Sequence, residues 1–151
     1  MTPLEMLKSV GVATTRGSPQ ARALNLRLET VEAGEAVMCL PYDLRLIGDP
    51  ATGVIAGGAV TTLLDHTCGQ AVWAALSDFA PIATLDLRID YMRAAEPGLD
   101  VWARAHCYKL TRHIGFVRAT AWDRDGEDPV ATAQAAFALN RPGSTRGSGD
   151  A

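Results

Sequence analysis

The stretch Gly48-Asp49-Pro50-Ala51-Thr52-Gly53-Val54-Ile55-Ala56-Gly57-Gly58 decides the fold, because it delivers a turn-rich loop into the start of an apolar helix. The first N–H groups of a helix have no partner within it, and two glycines there leave them uncovered by side chains. From Val60 the residues Val60, Leu63, Leu64, Cys68, Ala71, Val72, Ala75 and Leu76 recur at helical spacing. That pattern predicts a helix from about Gly58 to Leu76. One acid, Asp65, falls at the edge of the stripe about two turns past Gly58, near Thr61 and Gly69. Uncovered donors and a carboxylate bordering the core are the parts required for attack on a polarised carbonyl.

Upstream, Thr2-Pro3 reads as an N-cap and N1 proline, opening a short helix through about Val10. Gly11 to Gln20 is loop-like. Leu24, Leu26 and Leu28 then alternate with Asn25, Arg27 and Glu29, and a turn at Glu32-Ala33-Gly34-Glu35 leads to a second strand over Ala36 to Leu40. Pro41 to Gly53 reads as loop. Downstream of Pro81, Leu85, Leu87, Ile89 and Tyr91 alternate with Asp86, Arg88, Asp90 and Met92. Further strands are expected over Val101 to Leu110, Gly115 to Asp123 and, after a turn at Asp125-Gly126, Val130 to Leu139, making a meander of four. A helix and an antiparallel sheet bury their apolar faces only against each other. The expected fold is therefore α+β, a long central helix wrapped by an antiparallel sheet, with a short N-terminal helix. Residues 1–140 form a single expected domain, and 141–151, rich in Gly, Ser and Pro, a disordered C-terminal tail.

Apolar residues make up 48% of the 151-residue chain and charged residues 21%, with a net charge of −3. Nucleic-acid binding needs a basic patch that this balance does not supply. Cys39, Cys68 and Cys107 are odd in number and widely spaced, so they read as reduced, buried thiols and not as a disulfide framework or zinc site. His66, His106 and His113 show no ligand spacing, and neither metal nor cofactor is expected. The N-terminus lacks a basic segment followed by an apolar run, and the central helix carries Asp65, His66 and Gln70. The expectation is a cytoplasmic protein with no membrane partner.

The loop-helix motif through Leu63-Leu64-Asp65, together with Ala83-Thr84-Leu85-Asp86-Leu87-Arg88-Ile89-Asp90-Tyr91, resembles the hotdog-fold acyl-CoA thioesterases of the phenylacetate-degradation (PaaI-like) type. The similarity spans roughly Leu24 to Leu139. It implies a homodimer or homotetramer with active sites at the dimer interface, hydrolysing acyl-CoA without a metal. It assigns the oxyanion donor to the Gly57 N–H, and the general base or nucleophile to Asp65. Thr84 aligns with a hydroxyl that in relatives holds water or the thioester. Two departures stand out. The family usually has His-Gly-Gly where this chain has Ala56-Gly57-Gly58, and many members have Asn where it has Asp49.

Each candidate also has a plainer reading. Asp65 could be an exposed or capping acid, Thr84 a good strand former, and Asp49 a loop cap instead of a partner for the reacting group. His66 is turned about 100° from Asp65 on the helix, so it reads as a surface or interface histidine. Lys109, Arg112 and His113 cluster near a strand–strand turn, either to meet the coenzyme A phosphates or simply as solvated charges. Trp73, Trp102 and Trp122 read as core or interface anchors. With Gly58 and Ala56 completing the substrate-binding set, the expected function is an acyl-CoA thioesterase acting on an aromatic or medium-chain acyl group. The alternative is an acyl-CoA-binding protein that hydrolyses weakly or not at all because Ala56 replaces the histidine. A hydratase or dehydratase ranks last, since a histidine would be most useful where Ala56 stands.

Overall fold

A computed structural model describes residues 1–10 and 17–141; the loop expected over 11–16 and the tail from 142 onward lie outside the described residues. Helix α1, Pro3–Val10, opens as expected with a reciprocal cap. The Glu5 N–H donates to Thr2 Oγ1 at 3.2 Å, and the Thr2 N–H donates to Glu5 Oε2 at 2.7 Å. The same chemistry starts a helix where the sequence reads as loop: Ser18 caps α2, Pro19–Ala23, by accepting from the Ala21 N–H. So short a helix shows no period. Asn25 then takes a left-handed φ of 54°, which puts Leu24 outside the strand that alternation predicts for it. Strand β1 is Arg27–Glu32, β2 is Glu35–Leu40, and Glu32 pairs with Glu35 across a turn whose Gly34 has φ 74°.

The segment expected to be loop contains a 3-10 turn, Leu44–Leu46, and two short paired strands, β3 Ile47–Asp49 and β4 Val54–Ile55. They fold Gly48 against the start of the central helix, so that a Cβ on Gly48 would lie 2.9 Å from Ala56 Cα. The Ala56 N–H donates to Leu46 O at 2.8 Å. Helix α3, Gly57–Ala75, follows.

The remaining strands are β5 Ile82–Tyr91, β6 Val101–Leu110, β7 Ile114–Trp122 and β8 Ala131–Leu139. The large sheet runs β1-β2-β6-β7-β8-β5, antiparallel throughout. The expected meander of four is therefore one of three: β5 joins the far side of β8, and β6 pairs with β2. The 92–100 connection makes this possible by crossing the sheet's end. There the Met92 N–H donates to Val130 O at 2.8 Å, and Arg93 grips Asp123 through two bonds of 2.9 and 2.6 Å.

Seven alanines, at 103, 105, 119, 121, 131, 133 and 135, are buried along β6, β7 and β8. Such a thin inner face lets the sheet curl closely around α3. A Cβ on Gly115 would lie 3.2 Å from both methyls of Val72, so the helix sits about as near as side chains permit. Cys39, Cys68 and Cys107 are buried and free, and burial pushes the Cys68 thiol up to about 12. Among the described residues no helix is long and apolar enough to cross a membrane.

Two tests follow from this framework. Gly48→Ala will force the helix start to shift, lowering both the melting temperature and any activity, because the clash is with backbone; an unchanged melting curve would show the loop can absorb it. The Asp123 carboxylate, 1% exposed, is held well below its ordinary 3.8 by Arg93 and by the Glu96 and Arg124 N–H groups. A depressed folded-state value gives stability that is fully present above about pH 4 and lost as pH falls through the folded value. Melting curves taken down to about pH 2 should show this loss, and Asp123→Asn should melt lower at neutral pH with a shallower acid dependence. Equal acid slopes in the two proteins would contradict it.

Candidate functional site

Asp65 stands where α3 passes the sheet's edge strand, and Thr84 Oγ1 donates to its Oδ1 at 2.8 Å. A β-bulge makes this contact possible. Thr84 pairs with Phe137 and Asp86 with Ala136, so Leu85 is the extra residue. Strict alternation would put Thr84 on the face opposite Leu87 and Ile89; the bulge shifts the phase and turns it toward the helix. Leu85, expected on the apolar face, is instead 58% exposed. Asp65 Oδ2 takes no hydrogen bond among the described residues. The pair lines a cleft of about 170 Å³ with His66, Gly69, Gln70, Trp73, Ile82 and Phe137.

His66 shares that cleft although no hydrogen bond joins it to Asp65. Burial pushes its imidazole below the usual value, with the Asp65 charge opposing, so it is neutral at neutral pH. Gln70 is 7% exposed, and its Oε1 is buried without a partner. Sequence reasoning passed over Gln70 and Trp73 as lining residues. Their spacing from His66 and Asp65 along one helix was the available signal.

At the other end of this face, α3 starts without a side-chain cap at Ala56. A Cβ on Gly58 would meet nothing within 4 Å, and one on Gly57 only the Tyr91 ring at 3.9 Å. Neither glycine has a positive φ. Among the described residues nothing demands glycine at either position, and together the two leave the first turn of α3 uncovered on that side. Gly57 borders an apolar cleft of about 340 Å³ with Val54, Ile55, Val60, Tyr91 and Met92 among its walls. Ala56 and Gly58 border another of about 260 Å³ with Leu24, Leu46 and Thr62. Tyr91, missed as a site residue, donates from its hydroxyl to Gly57 O at 2.9 Å.

The other candidates are placed apart. Asp49 is engaged in its own loop: Oδ2 accepts from Thr52 Oγ1 at 2.7 Å and Oδ1 from the Ala51 N–H at 3.0 Å. The Thr52 hydroxyl holds its carboxyl below the usual range, and no bond joins it to Asp65. Lys109, Arg112 and His113 are exposed around the β6–β7 turn and line neither the Asp65 nor the Gly57 cleft. Trp73 borders the Asp65 cleft, whereas Trp102 and Trp122 are cross-strand partners on β6 and β7. Among the described residues no three His, Cys, Asp or Glu side chains are grouped to hold a metal ion.

The model of the thioesterase superfamily matches residues 52–130, a span containing Gly57, Asp65 and Thr84. A Halobacterium salinarum protein, provisionally named an esterase, is 35% identical over 79 residues. That match spans 50% of this chain and 52% of the relative, about half the length of each. A Pseudomonas aeruginosa protein of known structure is 38% identical with a TM-score of 0.74, over 90% of this chain and 95% of that one. A mutant of the phenylacetic acid degradation protein PaaI from Thermus thermophilus is 25% identical with a TM-score of 0.71, over 82% of this chain and 100% of its own. The fold is the hotdog thioesterase fold, and these likenesses support thioesterase activity in general terms. With more than half of its length matching the family, and the uncapped Gly-Gly helix start and Asp65 inside the match, the chain belongs to the thioesterase superfamily.

Proposed function

We propose that this protein hydrolyses an acyl-CoA, with an aromatic or medium-chain acyl group, to the free acid and coenzyme A. One observation carries the reading: the Thr84 hydroxyl holds Asp65 Oδ1 at 2.8 Å at a cleft while Oδ2 stays unpaired. The free oxygen is then available as general base toward water, or as nucleophile. Attack on the thioester carbonyl produces an oxyanion, which the Gly57 N–H stabilises at the positive end of α3. The C–S bond then breaks and the coenzyme A thiolate leaves, taking the proton that Asp65 removed from water. Where Asp65 itself attacks, the acyl group rests on it as an anhydride until water releases the free acid. No cofactor or metal enters the scheme.

On this reading the site is shared between two protomers. Gly57 and Asp65 are eight positions apart on α3, about 12 Å along the axis. The first-turn N–H groups point out of the helix's N-terminal end, away from Asp65. A single carbonyl cannot reach both. A twofold axis near Thr61 would set one protomer's Gly57 beside the partner's Asp65, and join the 340 Å³ and 170 Å³ clefts into one pocket. The edge strand β5 exposes Leu85 and Tyr91, with exposed Met92 just beyond it, and pairing it with its copy would protect that edge. The reading is thus a homodimer, or a homotetramer built from it, with residues 1–140 as the working unit. Three reduced cysteines fit a cytoplasmic setting.

The T. thermophilus relative's name, a phenylacetic acid degradation protein, supports an aromatic acyl group. The β6–β7 turn is our candidate for the coenzyme A phosphates. His113 O accepts from the Leu139 N–H, and Leu139 pairs with Ile82 of the Asp65 cleft. Asp49 acts through the loop it caps. The binding-only alternative is less well supported, because the helix start is held without a histidine: Leu46 O takes the Ala56 N–H, and two hydroxyls reach Gly57 O.

Asp65→Asn should lower thiol release from an accepted acyl-CoA by at least about 10²-fold; a variant as fast as wild type would end the assignment. Gly57→Pro deletes the donor, while proline is tolerated at the first helical position. Co-expressing the two inactive variants should restore up to about one quarter of wild-type activity, since heterodimers contain one intact site. No recovery in verified heterodimers would exclude a shared site.

A further inference from the structure

We propose that Tyr91 is a positioning residue that restrains Gly57, the residue bearing the oxyanion donor, by holding its carbonyl oxygen through the Tyr91 hydroxyl. The inference rests on the acyl-CoA hydrolase reading of the Gly57–Asp65 site. Tyr91 ends β5 and pairs with buried Ala131, so it projects from the same face as Thr84. Its hydroxyl donates to Gly57 O at 2.9 Å, Thr61 Oγ1 donates to the same oxygen at 3.1 Å, and the two hydroxyls are in hydrogen-bond contact with each other.

Each hydroxyl carries one proton. Either both protons go to Gly57 O, or one is relayed from Tyr91 through Thr61. In both arrangements Tyr91 fixes the plane of the Gly57–Gly58 peptide, the one that follows the donor. The Gly57 N–H itself belongs to the Ala56–Gly57 peptide, whose Ala56 O accepts from the Ala59 N–H at 3.0 Å, so Tyr91 restrains the donor by holding the far side of the Gly57 backbone. That constraint matters at this place. Glycine has the widest backbone freedom of any residue, the helix start has no side-chain cap, and an oxyanion donor must hold its direction within about 10–20°. The ring, 3.9 Å from where a Gly57 Cβ would be, also walls one side of the peptide. Since Tyr91 belongs to the edge strand, the donor is tied to the strand that would pair with a second copy.

The test is steady-state thiol release from phenylacetyl-CoA, or whichever acyl-CoA the wild type accepts best, with melting curves on every protein. Tyr91→Phe should reduce kcat about 3- to 10-fold with KM unchanged and Tm lowered by no more than about 2–4 °C, as expected for one lost hydrogen bond. Thr61→Val combined with Tyr91→Phe should fall further, while Thr61→Ser, which keeps a hydroxyl, should retain the wild-type kcat. An unchanged kcat in Tyr91→Phe would overturn the proposal. So would a loss confined to KM, which would make Tyr91 a substrate wall, or a loss that tracks Tm. Asp65→Asn separates the two levels. If it is inactive while Tyr91→Phe turns over normally, the positioning role alone fails. If it keeps wild-type turnover, the site reading fails and takes this inference with it.

Discussion

Close approach of α3 to the sheet is the constraint on which the rest depends. A sheet can wrap a helix only if its inner face is thin, and here that face is built largely from alanines on β6, β7 and β8. Gly115 removes even the methyl where Val72 meets the sheet. With little side-chain bulk to fill the gap, the helix is buried almost all round from Leu63 to Ala74, Asp65, His66 and Trp73 remaining partly open. Interiors of this kind are close-packed and do not deform continuously, so the position of α3 relative to the edge strand is set by the core.

That position makes three polar contacts between α3 and β5: Asp65 with Thr84, and both Gly57 and Thr61 with Tyr91. All three lie where the edge strand β5 meets the helix. The features that lower stability gather there too. Two adjacent glycines widen the backbone freedom of the helix start, and among the described residues the buried Gln70 Oε1 lacks a partner. Departures from local rules of this kind concentrate at functional sites. Here they lie along the exposed edge of the sheet.

Much of this was legible in the order of residues. The helical stripe from Val60, the Gly-Gly start, the lone Asp65, the Thr2-Pro3 cap and the alternation of β6, β7 and β8 are local signals. Each depends on a period or a turn chemistry that a short window contains. Helix α2 and the strands β3 and β4 escaped because two to five residues are too few to display a period. Leu24 escaped because one left-handed residue, Asn25, breaks the alternation it otherwise continues.

The sequence by itself determined the central helix, the short N-terminal helix and the longer strands, and that Gly57 and Asp65 share one helix. Tertiary structure decided which strands become neighbours, because pairing β6 with β2 and β5 with β8 depends on a connection pinned by Arg93 and Asp123 across the sheet's end. It also decided that Thr84 meets Asp65, because a bulge at Leu85 exists only in the register between two strands. Tyr91 reaches Gly57 for the same reason: no spacing along the chain states a contact between residues 34 positions apart, and only the packing of helix on sheet brings them together.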